Sequence, residues 1–187
     1  MKTKVTMTGW LIAVAVLALG GCATGGAPAG SSTSGAGHFS YTLTGPNVRI
    51  TIPELPPIDM GPHPAASRER PHLRAMGSKA PYVISVMTPT ADKGMSAQQC
   101  AQSSASWLIK RHALARQDYL LFKGGNSDTY GFIYSKRAGS GTQLVMYLLS
   151  GVEGTHCIEV HISKMSATRG EIREWANGFP RAAIERY

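Results

Sequence analysis

Acidic residues are scarce in this chain: 11 Asp and Glu stand against 19 Lys and Arg in 187 residues, a formal net charge of +8. A basic face suits anionic phospholipid headgroups, the acidic peptide stems of a cell wall, or a negatively charged partner. No compact run of five or six cations occurs, and the aromatic-basic interleaving that stacks bases is missing, so nucleic acid is not an expected partner. Cysteine is equally sparse, with three residues, at 22, 100 and 157. Catalytic signatures are absent. Gly139-Ser140-Gly141 lacks both the lysine of a phosphate loop and the full G-x-S-x-G of a nucleophile elbow, and it reads as a hairpin turn. There is no internal repeat.

What is present begins with a leader. Lys2 and Lys4 give a positive start, Trp10 to Leu19 an apolar stretch too short for a permanent spanning helix, and small residues precede Cys22. The tetrapeptide Leu19-Gly20-Gly21-Cys22 resembles the lipobox of bacterial lipoproteins, in which the cysteine thiol is diacylated and the leader is cut just before it. That resemblance implies a signal peptide over 1–21, a mature first residue Cys22 carrying acyl chains such as palmitate, and, with Ala23 in place of an aspartate, sorting to the outer membrane. At about 0.8 kcal/mol per buried methylene, two or more chains anchor stably where one does not. Cleavage removes Lys2 and Lys4 and no acidic residue, leaving 17 basic against 11 acidic residues and a net charge of +6.

Residues 22–37 are almost wholly Ala, Gly, Ser and Thr, a flexible tether with a reach of roughly 20 Å. A single domain is then expected over 38–187. Phe39 to Leu43 and Val48 to Ile52 alternate about Gly45-Pro46-Asn47 and predict a hairpin. The proline-rich segment 53–81 follows, carrying Arg68, Arg70, Arg74 and Lys79. It reads as an extended or partly helical excursion rather than part of a sheet, its Pro53-x-x-Pro56 a rigid connector wrapping the domain more than a polyproline ligand.

Tyr82 to Thr88 is a nearly continuous apolar run, the mark of a central strand buried on both faces. Ser96-Ala-Gln-Gln99 has the form of a capping box and opens a helix to about Ala115, with Cys100, Ala101, Ser104, Ala105, Leu108, Ile109 and His112 on its inward stripe. Four strands follow near 119–123, 129–136, 142–150 and 155–165, joined by short Gly-rich turns that favour an antiparallel meander. Thr168-x-x-Glu171 caps a second helix with Ile172, Trp175 and Ala176 inward, and Arg181 to Tyr187 read as a further turn of it. The expected class is α+β, an antiparallel sheet of about five to seven strands with one or two packed helices. Over 82–187 this layout resembles the Mog1/PsbP-like α/β/α sandwich, which implies an accessory or binding role rather than a fixed chemistry.

With Cys22 assigned to lipid, Cys100 and Cys157 form an even pair in an oxidising compartment, which suggests a disulfide. Strand alternation, however, puts Cys157 with Glu159 and His161 on the more polar face. Either both sheet faces are covered, or the two thiols stay unpaired. Cys157-x-Glu159-x-His161 places three metal-ligand types on one face, but neighbours there are about 7 Å apart and the outer pair about 13 Å, too far for one ion, so neither metal nor cofactor is expected. Nucleophilic catalysis by either thiol, with His156, His161 or His112 as base, fails if the disulfide forms. His112 at a helix end reads more simply as a cation favoured by the dipole. Asp128, Glu153, Glu159 and Glu171 offer carboxylates without pairing support.

The expectation is a lipid-anchored outer-membrane lipoprotein, binding or scaffolding an envelope protein or cell-wall partner, with 53–81 as the contact. The alternative is a small periplasmic hydrolase using His and Glu on the sheet face. A deep pocket with His156, Glu159 or His161 converging on it would favour the hydrolase, and an open flat sheet the binder.

Overall fold

The computed structural model describes residues 30–32, 37–62, 71–92, 94–138, 141–152, 156–164, 170–179 and 181–187. Two serines of the glycine-rich tether, β1 (Ser31–Ser32), pair with the first alternating run, β2 (Phe39–Leu43), which pairs in turn with β3 (Val48–Ile52). Asn47 closes that hairpin with φ of 51°, in the left-handed region that asparagine tolerates. These strands bury Phe39, Tyr41, Leu43, Val48, Ile50 and Ile52 on one face.

The proline-rich segment is where the sequence misleads. Its latter part is a strand, β4 (Leu73–Lys79), antiparallel to β5 (Tyr82–Met87). The prolines flank this strand rather than interrupt it, and it forms the edge of its sheet, where Gly77 and the two cations are tolerated. The earlier part does wrap the domain: Leu55 and Ile58 are buried, Leu55 O accepts from Phe39 N at 2.9 Å, and Gly61 bridges Met76 across the edge of β4.

Helix α1 (Ala97–His112) starts on the expected capping box, with Ser96 Oγ accepting from Gln99 N at 3.2 Å and Gln99 Oε1 from Ser96 N at 2.8 Å. It stops three residues before Ala115, because Ala113 turns left-handed at φ 48° and donates back into the last turn. After a 3-10 turn, Arg116–Asp118, the meander runs β6 (Tyr119–Lys123), β7 (Tyr130–Ala138), β8 (Gly141–Val152) and β9 (His156–Lys164). Across β6 and β7, Phe122 opposes Gly131 and its ring fills the space where a Cβ would stand. Helix α2 (Glu171–Gly178) comes next; Thr168, its expected cap, lies outside the described residues, as does the side chain of Ile172 or Ala176.

The last residues, expected as helix, form β10 (Ala183–Arg186) against β3. Helix propensity loses here to a waiting ladder. Ile184 N donates to the buried Thr129 Oγ1 at 3.0 Å, Asn126 Nδ2 donates to Ile184 O at 3.2 Å, and Gly125 N donates to Ala182 O at 2.8 Å.

Two antiparallel sheets result, β1-β2-β3-β10 and β4-β5-β9-β8-β7-β6, in an α+β domain. Alternation splits the larger sheet cleanly. Ile84, Val86, Ile133, Ile158, Val160 and Ile162 face the smaller sheet, joined by Trp175 of α2 and Phe179 just after it, while Phe132, Tyr134 and Cys157 face α1. Both faces are therefore covered, which removes the objection to pairing the cysteines. β5 is interior, as expected, but only Ile84 and Val86 among its apolar residues are fully buried, because α1 lies over β8 and β7 and leaves the far side of that face open.

Gly77 reports on the wrap. A Cβ there would meet Asp59 O at 2.4 Å and Met60 Sδ at 2.8 Å, whereas one at Gly61 meets nothing within 4 Å. Gly77→Ala is expected to lower unfolding free energy by about 1–3 kcal/mol through overpacking. Gly61→Ala should stay within about 0.5 kcal/mol of the parent in the same urea titrations.

Candidate binding groove

Cys100 and Cys157 are joined, with Cα atoms 6.0 Å apart, and both are buried. From that link helix and strand advance at matched steps: four helical residues rise about 6.0 Å and two strand residues about 6.6 Å. The next level is therefore Ser104 over Glu159, and Ser104 Oγ donates to Glu159 Oε1 at 2.6 Å. The bond sits on the inward stripe of α1, which buries Cys100, Ala101, Ala105 and Leu108 against the sheet.

Beside this stripe, on the open side toward β5, runs a groove of about 560 Å³ lined by His72, Met87, Pro89, Ser103, Ser104, Trp107, Leu108 and Glu159. Its size is that of small-ligand sites. Met87 and Glu159 are register partners and form the floor. The far wall is fixed by backbone bonds: Thr88 N donates to His72 O at 2.8 Å and Cys157 N to Pro89 O at 3.0 Å. Trp107 stands at the rim, 57% exposed, with the Arg111 guanidinium 4.7 Å from its ring centroid. Two smaller hollows flank α1 elsewhere, one of about 310 Å³ over Leu121, Phe122 and Tyr130, the other of about 390 Å³ at the helix start beside Asp128 and Arg186.

Electrostatics separate the polar residues of this face. Burial pushes the Glu159 carboxyl above its usual range, partly countered by the Ser104 hydrogen bond and the nearby His72. Burial alone pushes His161 down to about 4, and its Nε2 is shielded from solvent. His112 sits in the last turn of α1 as expected, where burial, then Lys136 and Arg111, lower its pKa, and its ring stacks on Tyr134 with centroids 5.5 Å apart.

Of the residues singled out in the sequence, the structure brings Cys100, Cys157 and Glu159 to one place. Arg74 occupies a β-bulge, where two residues of β4 answer one of β5, and its Nε donates to Thr88 Oγ1 at 2.5 Å. Lys79 Nζ donates to Pro57 O at 3.3 Å, clasping the wrap. Arg68, Arg70, Cys22 and Glu153 lie outside the described residues. Glu171 accepts from Lys164 at 2.5 Å, tying α2 to β9. In the Cys157, Glu159, His161 set the sulfur is held in the disulfide, and among the described residues no group of three or more His, Cys, Asp or Glu gathers. Sequence reasoning missed Trp107, His72 and Ser103. Trp107 alone carried a signal, a large aromatic set off the inward stripe of an amphipathic helix.

No protein-family model matches this chain, and no curated protein matches it.

Glu159 and His161 should leave opposite marks on acid stability. The fold favours neutral His161, so its contribution is whole above pH 6.5 and is lost as pH falls toward 4, a span of about 3 kcal/mol. Glu159 has its folded pKa above the unfolded one, so its contribution is present at low pH and is lost as pH rises through the carboxyl range. Urea titrations at a series of pH values should show His161→Gln flattening the loss between pH 6.5 and 4, and Glu159→Gln steepening it.

Proposed function

We propose that this chain is a lipid-anchored envelope lipoprotein, held to the outer membrane through acylated Cys22, whose α+β domain is a binding or scaffolding accessory facing the periplasm. The groove beside α1 is where it takes an envelope protein or cell-wall partner. The observation that carries this reading is the groove itself, apolar along Met87, Pro89 and Leu108 and topped by an exposed tryptophan. An aromatic at the mouth of a partly desolvated cleft supplies contact area at low entropic cost. The tetrapeptide Leu19 to Cys22 and the tether support the anchor, and no described helix is long and apolar enough to cross a membrane. The hydrolase reading asks for His and Glu converging on a pocket. Of the three sheet-face residues it names, Glu159 lines the groove, His161 has its Nε2 shielded, and His156 pairs at the far end of β9 with Val152.

Two measurements test this. Cys22→Ser should move the protein from the membrane to the soluble fraction and remove the acyl mass; retention in the membrane would count against the anchor. A photoreactive side chain at position 103 should yield a discrete adduct in intact cells that one at position 185, on β10, does not. Equal adducts from both positions would count against the groove.

A further inference from the structure

The groove is apolar but not uniformly so. Among the described residues the Glu159 carboxylate takes one hydrogen bond, from Ser104 Oγ at 2.6 Å, although a carboxylate offers about four acceptor sites. Its other oxygen is not enclosed by the fold, so an occupant that covers it without supplying a donor leaves the anion unmatched. His72 acts on it through space rather than by a hydrogen bond. The remaining lining is aliphatic or aromatic at Met87, Pro89, Leu108 and Trp107, with small hydroxyls at Ser103 and Ser104.

Resting on the groove reading above, we infer that its occupant presents a primary ammonium at the end of an apolar stem, as a lysine side chain of a partner polypeptide does. The methylenes lie along Met87, Pro89 and Leu108, and the ammonium pairs with Glu159. Lysine fits such a slot because its stem is apolar while its head is a compact cation with three donors. Charge complementarity makes the choice. An anionic group would meet the Glu159 carboxylate, and a neutral apolar group would leave that carboxylate desolvated and unmatched. The chain as a whole is basic, so this acidic slot is a local reversal of sign that disfavours an acidic group.

The test uses the oxidised mature protein and Trp107 fluorescence, the other tryptophan of the mature chain, Trp175, being buried. The probes are acetyl-Ala-Ala-Lys-Ala-Ala-amide, the same peptide with norleucine or acetyl-lysine in place of lysine, and free n-butylamine. The lysine peptide should bind about tenfold or more tightly than either neutral peptide. Glu159→Gln should abolish that difference, loosening the lysine peptide and leaving the norleucine peptide bound at least as tightly as before. Ser103→Lys, which supplies an ammonium from the groove's own wall, should remove the lysine preference without touching Glu159, and serves if the glutamine variant folds poorly. Equal affinity for the lysine and norleucine peptides would overturn the ammonium assignment while leaving the groove reading intact. Butylamine binding as tightly as the lysine peptide would overturn the polypeptide source. If no peptide binds while the position-103 adduct still forms, the inference fails and the groove stands.

Discussion

One covalent constraint organises the face of the larger sheet that α1 covers. By joining Cys100 to Cys157, the disulfide fixes both the contact point and the axial register of α1 on the sheet. Because helical and strand repeats advance almost equally over four and two residues, that single tie decides what lies one level further on. It puts a serine over a glutamate, and it leaves the strip of sheet toward β5 uncovered. Loss of the bond removes about 4 kcal/mol on the chain-entropy model, but its larger effect is positional. A helix free to slide by one turn would present a different residue to Glu159.

The opposite face depends on burial rather than on a link. Aliphatic residues of β5, β7 and β9 meet those of β2 and β3 in one continuous core, closed at one end by Trp175 and Phe179. Each such side chain contributes on the order of 1.5–3 kcal/mol when fully buried. Strand β10 completes this layer by pairing Arg186 with Val48, so residues nearly the whole chain apart must meet before the core is sealed. Contacts of such separation form late and slowly.

How much of this could be read from the residues follows from the range of each interaction. The hairpin of β2 and β3, the capping box at Ser96, and the strands from Tyr119 to Lys164 were legible because alternation, caps and Gly turns are local signals. β4 was hidden by the prolines beside it and by a bulge that breaks its alternation at Arg74. β10 was hidden because Ala, Ile, Glu and Arg suit a helix as well as a strand, and the deciding partners, Thr129 and Asn126, are more than fifty residues away. The groove was half legible. Glu159 and the cysteine pair drew notice by chemistry, whereas His72, Ser103 and Trp107 belong to it only through a packing angle that no local pattern encodes.

The place where the tether joins carries a consequence for orientation. Ser31 and Ser32 enter the fold on the outer edge of the smaller sheet, while the groove opens on the far face of the larger one, with the spacing of the two packed sheets, about 10 Å, between them. Were Cys22 held in a bilayer as proposed, the chain would draw on the edge of the domain away from the groove. With the proposed anchor, the groove would open away from the lipid, with the fold as a spacer.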